Sequence, residues 1–304
     1  MNYNKRILKT GALAAAATVA FAIFVYRAAE WSKGLNSEFF VLGQSGGAGP
    51  GPAAAPDRVG ATTRIIPQIA IGSFDRGLTK YITVIQIVNT GTSPAAVTGE
   101  FYKEDGSAST LTLETNQSKM ATFTGNMNST ILDVNQVLVI TGGATAATTP
   151  PTGAIGWGKI TSSGVLSIAC FFELRDGNTN VLYSRVGVSA SRPDMSSFII
   201  PRVRDVTSGL DVAFVLVNTA STPASITATL KDAKGATIGG AKTITMAPQS
   251  HQALFTHQFF GLASEPSGRN YDYMTFRSTS ASFAAVALAF EGGTQTSFPV
   301  EPLQ

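Results

Sequence analysis

Val88-Asn89-Thr90-Gly91-Thr92-Ser93-Pro94-Ala95 is repeated further along the chain as Val217-Asn218-Thr219-Ala220-Ser221-Thr222-Pro223-Ala224. The match continues without a gap from Val97 (against Ile226) through Gly106 (against Gly235), so it spans more than one turn. Working outward, Ile65-Ile66-Pro67 recurs as Ile199-Ile200-Pro201, and residues 159–173 match residues 277–291 with Ser162, Ala169, Phe172 and Glu173 against Ser280, Ala287, Phe290 and Glu291. Self-similarity at this spacing marks a duplicated structural unit. The offset is shorter in the later match, so the first copy carries an insertion, and residues 142–152 (GGATAATTPPT) are the natural place for it.

Between the repeated motifs run short stretches of β-branched and aromatic residues at period two, separated by Gly, Asp, Asn, Ser and Pro. That is the pattern of half-buried strands joined by tight turns. The turns fall at Glu104-Asp105-Gly106, Asp176-Gly177-Asn178, Lys234-Gly235 and Gly292-Gly293, where residues tolerant of left-handed backbone belong. The expected fold is all-β: two tandem antiparallel β-sandwich domains, residues 64–191 and 192–304, preceded by an N-terminal hydrophobic helix and a Gly/Ala/Pro-rich linker.

The strand Phe214-Val215-Leu216-Val217-Asn218, the run Ile226-Thr227-Ala228-Thr229-Leu230-Lys231-Asp232 and the stretch Met246-Ala247-Pro248-Gln249-Ser250-His251-Gln252-Ala253-Leu254-Phe255 with Phe259-Phe260 resemble the tandem immunoglobulin- or fibronectin-like β-sandwich modules of secreted or cell-surface bacterial proteins. The resemblance covers most of the second copy and part of the first. It implies a stalk, adhesive or appended module and carries no catalytic residues.

The N-terminus has a different composition. Residues 1–9 are basic, and residues 11–26 (GALAAAATVAFAIFVY) carry no charge and are bounded by Lys9 and Arg27. A basic stretch followed by an apolar run is the grammar of an export signal or signal anchor. Sixteen residues of helix span about 24 Å, short of the roughly 30 Å hydrocarbon core; Ile7 and Leu8 extend the run if Lys9 snorkels. Ala20-Phe21-Ala22 fits a cleavage site but would leave Ile23-Phe24-Val25-Tyr26 on the mature end, which favours an uncleaved anchor. Residues 1–40 are thus assigned to a signal peptide or signal-anchor helix, and residues 41–63 to a flexible linker.

Charge supports this division. Charged residues are 13% of the 304, below the roughly 25% of an average domain. Lys5, Arg6, Lys9, Arg27 and Lys33 against Glu30 give the N-terminal segment a net +4, and the 17 bases and 18 acids beyond residue 33 bring the total to +3. A folded body without excess base has no electrostatic footprint for nucleic acid. One Cys and two His rule out a disulfide framework and a thiolate zinc cluster.

Few residues invite chemistry. Cys170 shares a strand face with Leu166, Ile168 and Phe172 and reads as core, with Leu288 its counterpart. His251 and His257, six apart on an extended strand, stand about 20 Å from each other and cannot share a metal. Gly43-Gln44-Ser45-Gly46-Gly47 fits the G-x-S-x-G letters but lacks the flanking strand and helix of a nucleophile elbow. Asp176-Gly177-Asn178-Thr179-Asn180 suggests a calcium loop, yet Gly187 stands where the bidentate Glu belongs, so a hairpin turn is expected. The glycosylation triplets at Asn116 and Asn128 read as chance in a bacterial chain.

Aromatic residues give the best candidate surface. Trp157 aligns with Thr275, and Tyr271 and Tyr273 share its strand parity while Met274 and Phe276 take the other. With the latter two in the core, Trp157, Tyr271 and Tyr273 face outward as tentative ligand-binding residues. The sequence therefore predicts a non-catalytic, exported surface protein with a structural, adhesive or protein-interaction role, without metal or cofactor. Its expected partners are a cell-envelope or extracellular protein, a further copy of itself, or glycans, with membrane contact through the N-terminal helix. A carbohydrate-binding module and a surface filament subunit are the alternatives.

Overall fold

The computed structural model describes residues 62–73, 77–146, 148–150, 152–205, 208–262, 271–291, 294–298 and 300–303. The apolar run 11–26, the linker up to residue 61, Ser45 and the turn Gly292-Gly293 lie outside the described residues. Two compact units result. One holds residues 62–102 and 108–190, the other residues 191–303 together with the turn Lys103–Ser107.

In the N-terminal unit the strands are β1 (Thr62–Ile71), β2 (Thr79–Asn89), β3 (Ala95–Lys103), β4 (Thr112–Thr115), β5 (Thr122–Thr124), β6 (Met127–Leu132), β7 (Val137–Gly142), β8 (Ala154–Ser162), β9 (Leu166–Asp176) and β10 (Leu182–Ser189). They form two antiparallel sheets in the orders β1-β8-β3-β6 and β10-β9-β2-β7-β4-β5. The first strand begins at Thr62, two residues before the expected boundary. Strand β3 alternates buried and half-buried residues along almost its whole length, the signature of a sheet with one wet face.

The C-terminal unit repeats the scheme with β11 (Ser197–Asp205), β12 (Leu210–Asn218), β13 (Ala224–Lys231), β14 (Thr237–Met246), β15 (His251–Phe255), helix α1 (Thr256–Phe260), β16 (Tyr271–Arg277), β17 (Phe283–Glu291), β18 (Thr294–Phe298) and β19 (Glu301–Pro302). Strands β14-β13-β16-β11 make one layer and β15-β12-β17-β18 the other. The layers join where β11 runs into β12, through Arg204 opposite Asp211 and Asp205 opposite Leu210. Phe214 on one layer meets Phe276 on the other edge to face, ring centroids 5.2 Å apart, and Phe276 stacks on Phe198 at 4.7 Å. Strands β12 and β17 are buried on both faces, which is why FVLVN and FAAVALAF read as unbroken apolar runs. On their outer side Phe255 packs on Phe290 at 5.4 Å.

Both units are all-β sandwiches, as the periodicity requires, but their strand order differs from the immunoglobulin arrangement. There the first strand joins the layer of the second, and the last joins the layer of the third. Here β1 and β11 pair with β8 and β16, on the layer of the third strand, while β9 and β17 pair with β2 and β12. The duplicated Ile-Ile-Pro explains a shared detail. The register shifts by one residue between Ile66 and Ile69 in β1 and between Pro201 and Arg204 in β11. Proline has no N–H for the ladder, so a bulge follows it in both copies.

Pairing also corrects the alignment of the two copies. Val88 faces Val137, whereas Val217 faces His251, so the extra residues of the first copy lie before Val137. They build β4 and β5, since β6 pairs with β3 as β14 pairs with β13; residues 142–152 are not the insertion. Cys170 faces Ile85 as Ala287 faces Phe214, so Ala287 and not Leu288 is the counterpart of Cys170. Gly158 faces Ile66 as Met274 faces Ile200, which sets Trp157 against Tyr273 rather than Thr275. A slip of one residue in a strand exchanges its faces. Local identity of sequence cannot detect it when both faces are apolar.

The core is filled differently in the two copies. A Cβ on Gly99 or Gly158 would stand 2.9 Å from the Phe101 ring. At the equivalent places the second copy has Ala228, Met274 and Leu230, all buried. A large ring between two glycines is exchanged for a smaller side chain between larger ones, preserving volume.

The repeated Val-Asn-Thr motif closes each sandwich. Asn89 is fully buried, and its side-chain amide donates to the carbonyls of Ser93 and Leu132, both at 2.9 Å, while its oxygen accepts from Gly91 N–H at 2.9 Å. Asn218, equally buried, donates to Thr222 and Ala247, both at 2.9 Å, and accepts from Ala220 N–H at 3.1 Å. Removing such a side chain strands buried carbonyls, each worth about 1–3 kcal/mol. Asn89→Ala and Asn218→Ala are each expected to lower stability by about 2–4 kcal/mol in urea unfolding; a loss below about 0.5 kcal/mol would show that water replaces the amide.

Candidate functional site

The three aromatic candidates divide between the two units. Trp157 and Lys159 on β8, with Glu100 and Tyr102 on β3, lie on the face of their sheet opposite Gly158 and Phe101, so the parity argument holds for the indole. The exposure does not. Trp157 is 1% accessible and stacks on Tyr102 with ring centroids 4.3 Å apart and planes 13° from parallel. The Tyr102 hydroxyl donates to Glu100 at 2.7 Å, and Lys159 Nζ lies 3.1 Å from the same carboxylate. Burial raises the Glu100 pKa, but the Tyr102 and Lys159 contacts outweigh it and the net shift is downward. An indole already stacked and covered has no face left for a sugar ring.

Tyr271 also departs from expectation. It is buried in one cluster with Met274 and Phe276. The bulge in β11 lies opposite this end of β16, where Arg204 rather than the next residue in register faces Tyr271. Tyr273 alone of the three stays half-exposed, facing Lys231 and Pro201 on its two neighbouring strands. Its hydroxyl reaches the β13–β14 turn, where a Cβ on Gly235 would come within 3.3 Å of it.

Groups with catalytic potential are spent on the fold. Cys170 is buried and its thiol is pushed up to about 12 by burial, so it is neither thiolate nor accessible. His251 opens β15 with its imidazole buried, which brings its pKa down to about 3; the backbone N–H of His251 donates to the Glu104 carbonyl at 2.9 Å. His257 is not on an extended strand with it. The chain turns into α1 at Thr256, whose buried hydroxyl donates to the Val212 carbonyl at 2.8 Å. The two histidines are thereby oriented by different elements, and His257 Nδ1 pairs with Asp211.

The Asp176 loop is a turn. One carboxylate oxygen accepts from the N–H groups of Asn178 at 2.9 Å and Thr179 at 2.6 Å, and the other takes the Tyr183 hydroxyl. Those hydrogen bonds, led by Tyr183, hold the Asp176 carboxyl far below its usual range. Asn116 likewise serves the backbone, donating to Val137 at 3.0 Å and accepting from Val139 at 2.9 Å. Among the described residues no group of three His, Cys, Asp or Glu is placed to hold a metal ion, and no helix is long and apolar enough to cross a membrane.

Two charge clusters escaped sequence reasoning. Glu173, with a nearly buried side chain, takes Arg175 at 2.7 Å on one oxygen and Arg185 on the other. Burial raises its pKa, the two guanidiniums lower it, and the second effect prevails. The other is the Asp211–His257 pair, whose members are 46 residues apart. Strand pairing and a five-residue helix bring the partners together, and no local pattern announces either.

No family model matches the sequence, and no curated relative is found. Among solved structures, similarity is detected to Bacteroides uniformis beta-glucuronidase 2 at 9% identity, 80% of this chain, 26% of that chain and a TM-score of 0.16. It is also detected to the C-terminal domain of the Streptococcus agalactiae AgI/II polypeptide BspA at 10% identity, 73% and 84% coverage and 0.16. A third is the pilus backbone RrgB of Streptococcus pneumoniae, at 12% identity, 79% and 97% coverage and 0.15. The chain thus spans about a quarter of the glucuronidase, and at these TM-scores the likenesses carry no functional argument.

The buried imidazole gives a pH signature. A His whose folded pKa lies below its unfolded value of about 6.5 binds fewer protons when folded, so stability falls as pH drops from about 6.5 toward about 3. Urea unfolding of the wild type from pH 7 to pH 4 is expected to show that loss, and His251→Gln is expected to flatten it; an unchanged slope would assign the acid sensitivity to carboxylates such as Glu173.

Proposed function

We propose that this chain is an exported, non-catalytic surface protein of a bacterial envelope, with a structural or adhesive role. The observation that carries this reading is the order of its parts. A basic segment and an uncharged apolar run precede a Gly/Ala/Pro tether, and the tether leads into two strand-built units. A body whose only thiol and both imidazoles are sequestered in packing or ion pairing suits holding and spacing better than turnover. The near-neutral body favours contact with protein over nucleic acid.

Its partner in this reading is an envelope or extracellular protein, including further copies of the chain, with membrane contact through residues 11–26. A glycan-binding role would rest on Tyr273 alone of the three aromatic candidates and is the weaker reading.

Fractionation of cells making the full chain tests the proposal, together with intact mass and protease shaving of whole cells. Membrane-bound protein of full mass whose body is removed by external protease is the expected result. Soluble protein trimmed near Ala22 would retain export and remove the anchor. Full-length protein protected inside the cytoplasm would overturn the proposal.

A further inference from the structure

The two copies treat the outer face of one sheet differently. In the first, Ile65 on β1 faces Lys159 on β8, so Ile65, Lys159 and Trp157 share the face turned away from Gly158 and the core. Ile199 and Tyr273 hold the equivalent places in the second copy, set by the Ile-Ile-Pro motif and the pairing of β11 with β16. There both are half-exposed, whereas Ile65 is 0% and Trp157 1% accessible. Neighbours within a sheet flank a side chain but leave its outer rim in water, so Tyr102 stacked on the indole covers one side of it. Ile65 has a neighbouring strand on one side, because β1 ends its sheet among the described residues. Two such residues are withdrawn from water only under a further layer of chain. The described residues of this unit form two sheets, and the second lies on the core side.

The sequence points to what supplies that layer. The second copy follows directly on the first, but the first is preceded by residues 1–61. Between Ser32 and Ala61 the large apolar side chains other than Leu35 and Val59 are Phe39, Phe40, Val41 and Leu42, in one run behind Glu38. Such a run favours extended chain and carries apolar area that the Gly, Ala and Pro after it cannot cover. The 19 residues 43–61 separate it from β1. A flexible chain of that length spans about 25 Å on average and about 60 Å at most, enough to return the run to any point of the ten-residue β1. Lys159 and Glu100, the charged side chains on this face of β8 and β3, are paired with each other at 3.1 Å, so an apolar segment beside them strands no charge.

We propose that residues 39–42 pack on the outer face of the β1-β8-β3 sheet of their own chain, over Ile65 and Trp157. The contact is intramolecular because a tether of this length holds the run near its target at an effective concentration of roughly millimolar, above that of other copies. Docking sets the distance between body and membrane. With the run in place, residues 27–37 alone separate the apolar stretch 11–26 from the body, and residues 43–61 form a closed loop; released, the whole of residues 27–61 extends as tether. The inference rests on the export reading only for that consequence. Protein trimmed near Ala22, or never exported, still carries both the run and the face.

The test uses the full chain in mild detergent. In a Trp31→Phe background Trp157 is the sole indole, and acrylamide is expected to quench it weakly. Adding Phe39→Ser with Phe40→Ser is expected to raise the quenching constant several-fold while circular dichroism keeps its β signature. Disulfide formation within one chain reads the contact separately. Val41→Cys combined with Lys159→Cys is expected to close at least about tenfold faster than Val41→Cys combined with Val181→Cys, the latter at the exposed position before β10, and to stay monomeric; buried Cys170 stays out of the reaction. Trp157 equally protected in the Phe39 and Phe40 variant would assign its cover to the rest of the body and overturn the proposal. Equal closure of the two cysteine pairs, or disulfide formed only between chains, would overturn it as well.

Discussion

A buried carboxamide closes each of the two sandwiches. Asn89 and Asn218 lie at the end of the second strand of their units, fully out of water, and each holds the carbonyl of the turn that follows it and a carbonyl at a second corner. Turns at the end of a sandwich leave backbone groups that no ladder can satisfy, and an unsatisfied buried carbonyl costs as much as several methylenes gain. One Asn, with two donors and an acceptor in a rigid plane, serves groups from both layers at once. The backbone around it follows suit: Asn89 N–H reaches Gln136 and Thr90 N–H reaches Val165, while Asn218 and Thr219 reach Ser250 and Ser282.

That clamp permits variation elsewhere. With the corners held, the core of one copy uses Phe101 between glycines and the other uses Leu230 beside Ala228 and Met274, because packing density constrains summed volume and not identity. The first copy adds β4 and β5 between its third strand and β6 without disturbing the pairing of β2 with β7 and β9. Surface strands and turns are where added length is tolerated thermodynamically.

The same economy governs the ionisable groups. Asp176 caps a turn, Glu173 joins two arginines across β9 and β10, and Asp211 holds His257 beside β12. The thiol and one imidazole are held neutral by burial. The large aliphatic side chains left exposed among the described residues all belong to the N-terminal unit.

The sequence by itself determined the strand content, the duplication, the turns at Gly106 and Gly235 and the division between a basic apolar N-terminus and a nearly neutral body. Each of these depends on local chemistry: period two, left-handed glycines, the count of charges. The layer to which the first and last strands belong, the true register between the copies and the covering of Trp157 and Tyr271 were decided only by tertiary structure. Tyr271 had the parity of a surface residue until a bulge on the neighbouring strand changed its surroundings, and Trp157 faces away from the core yet is covered. Parity along one strand specifies a direction, but only the neighbouring strands determine whether that direction leads to water.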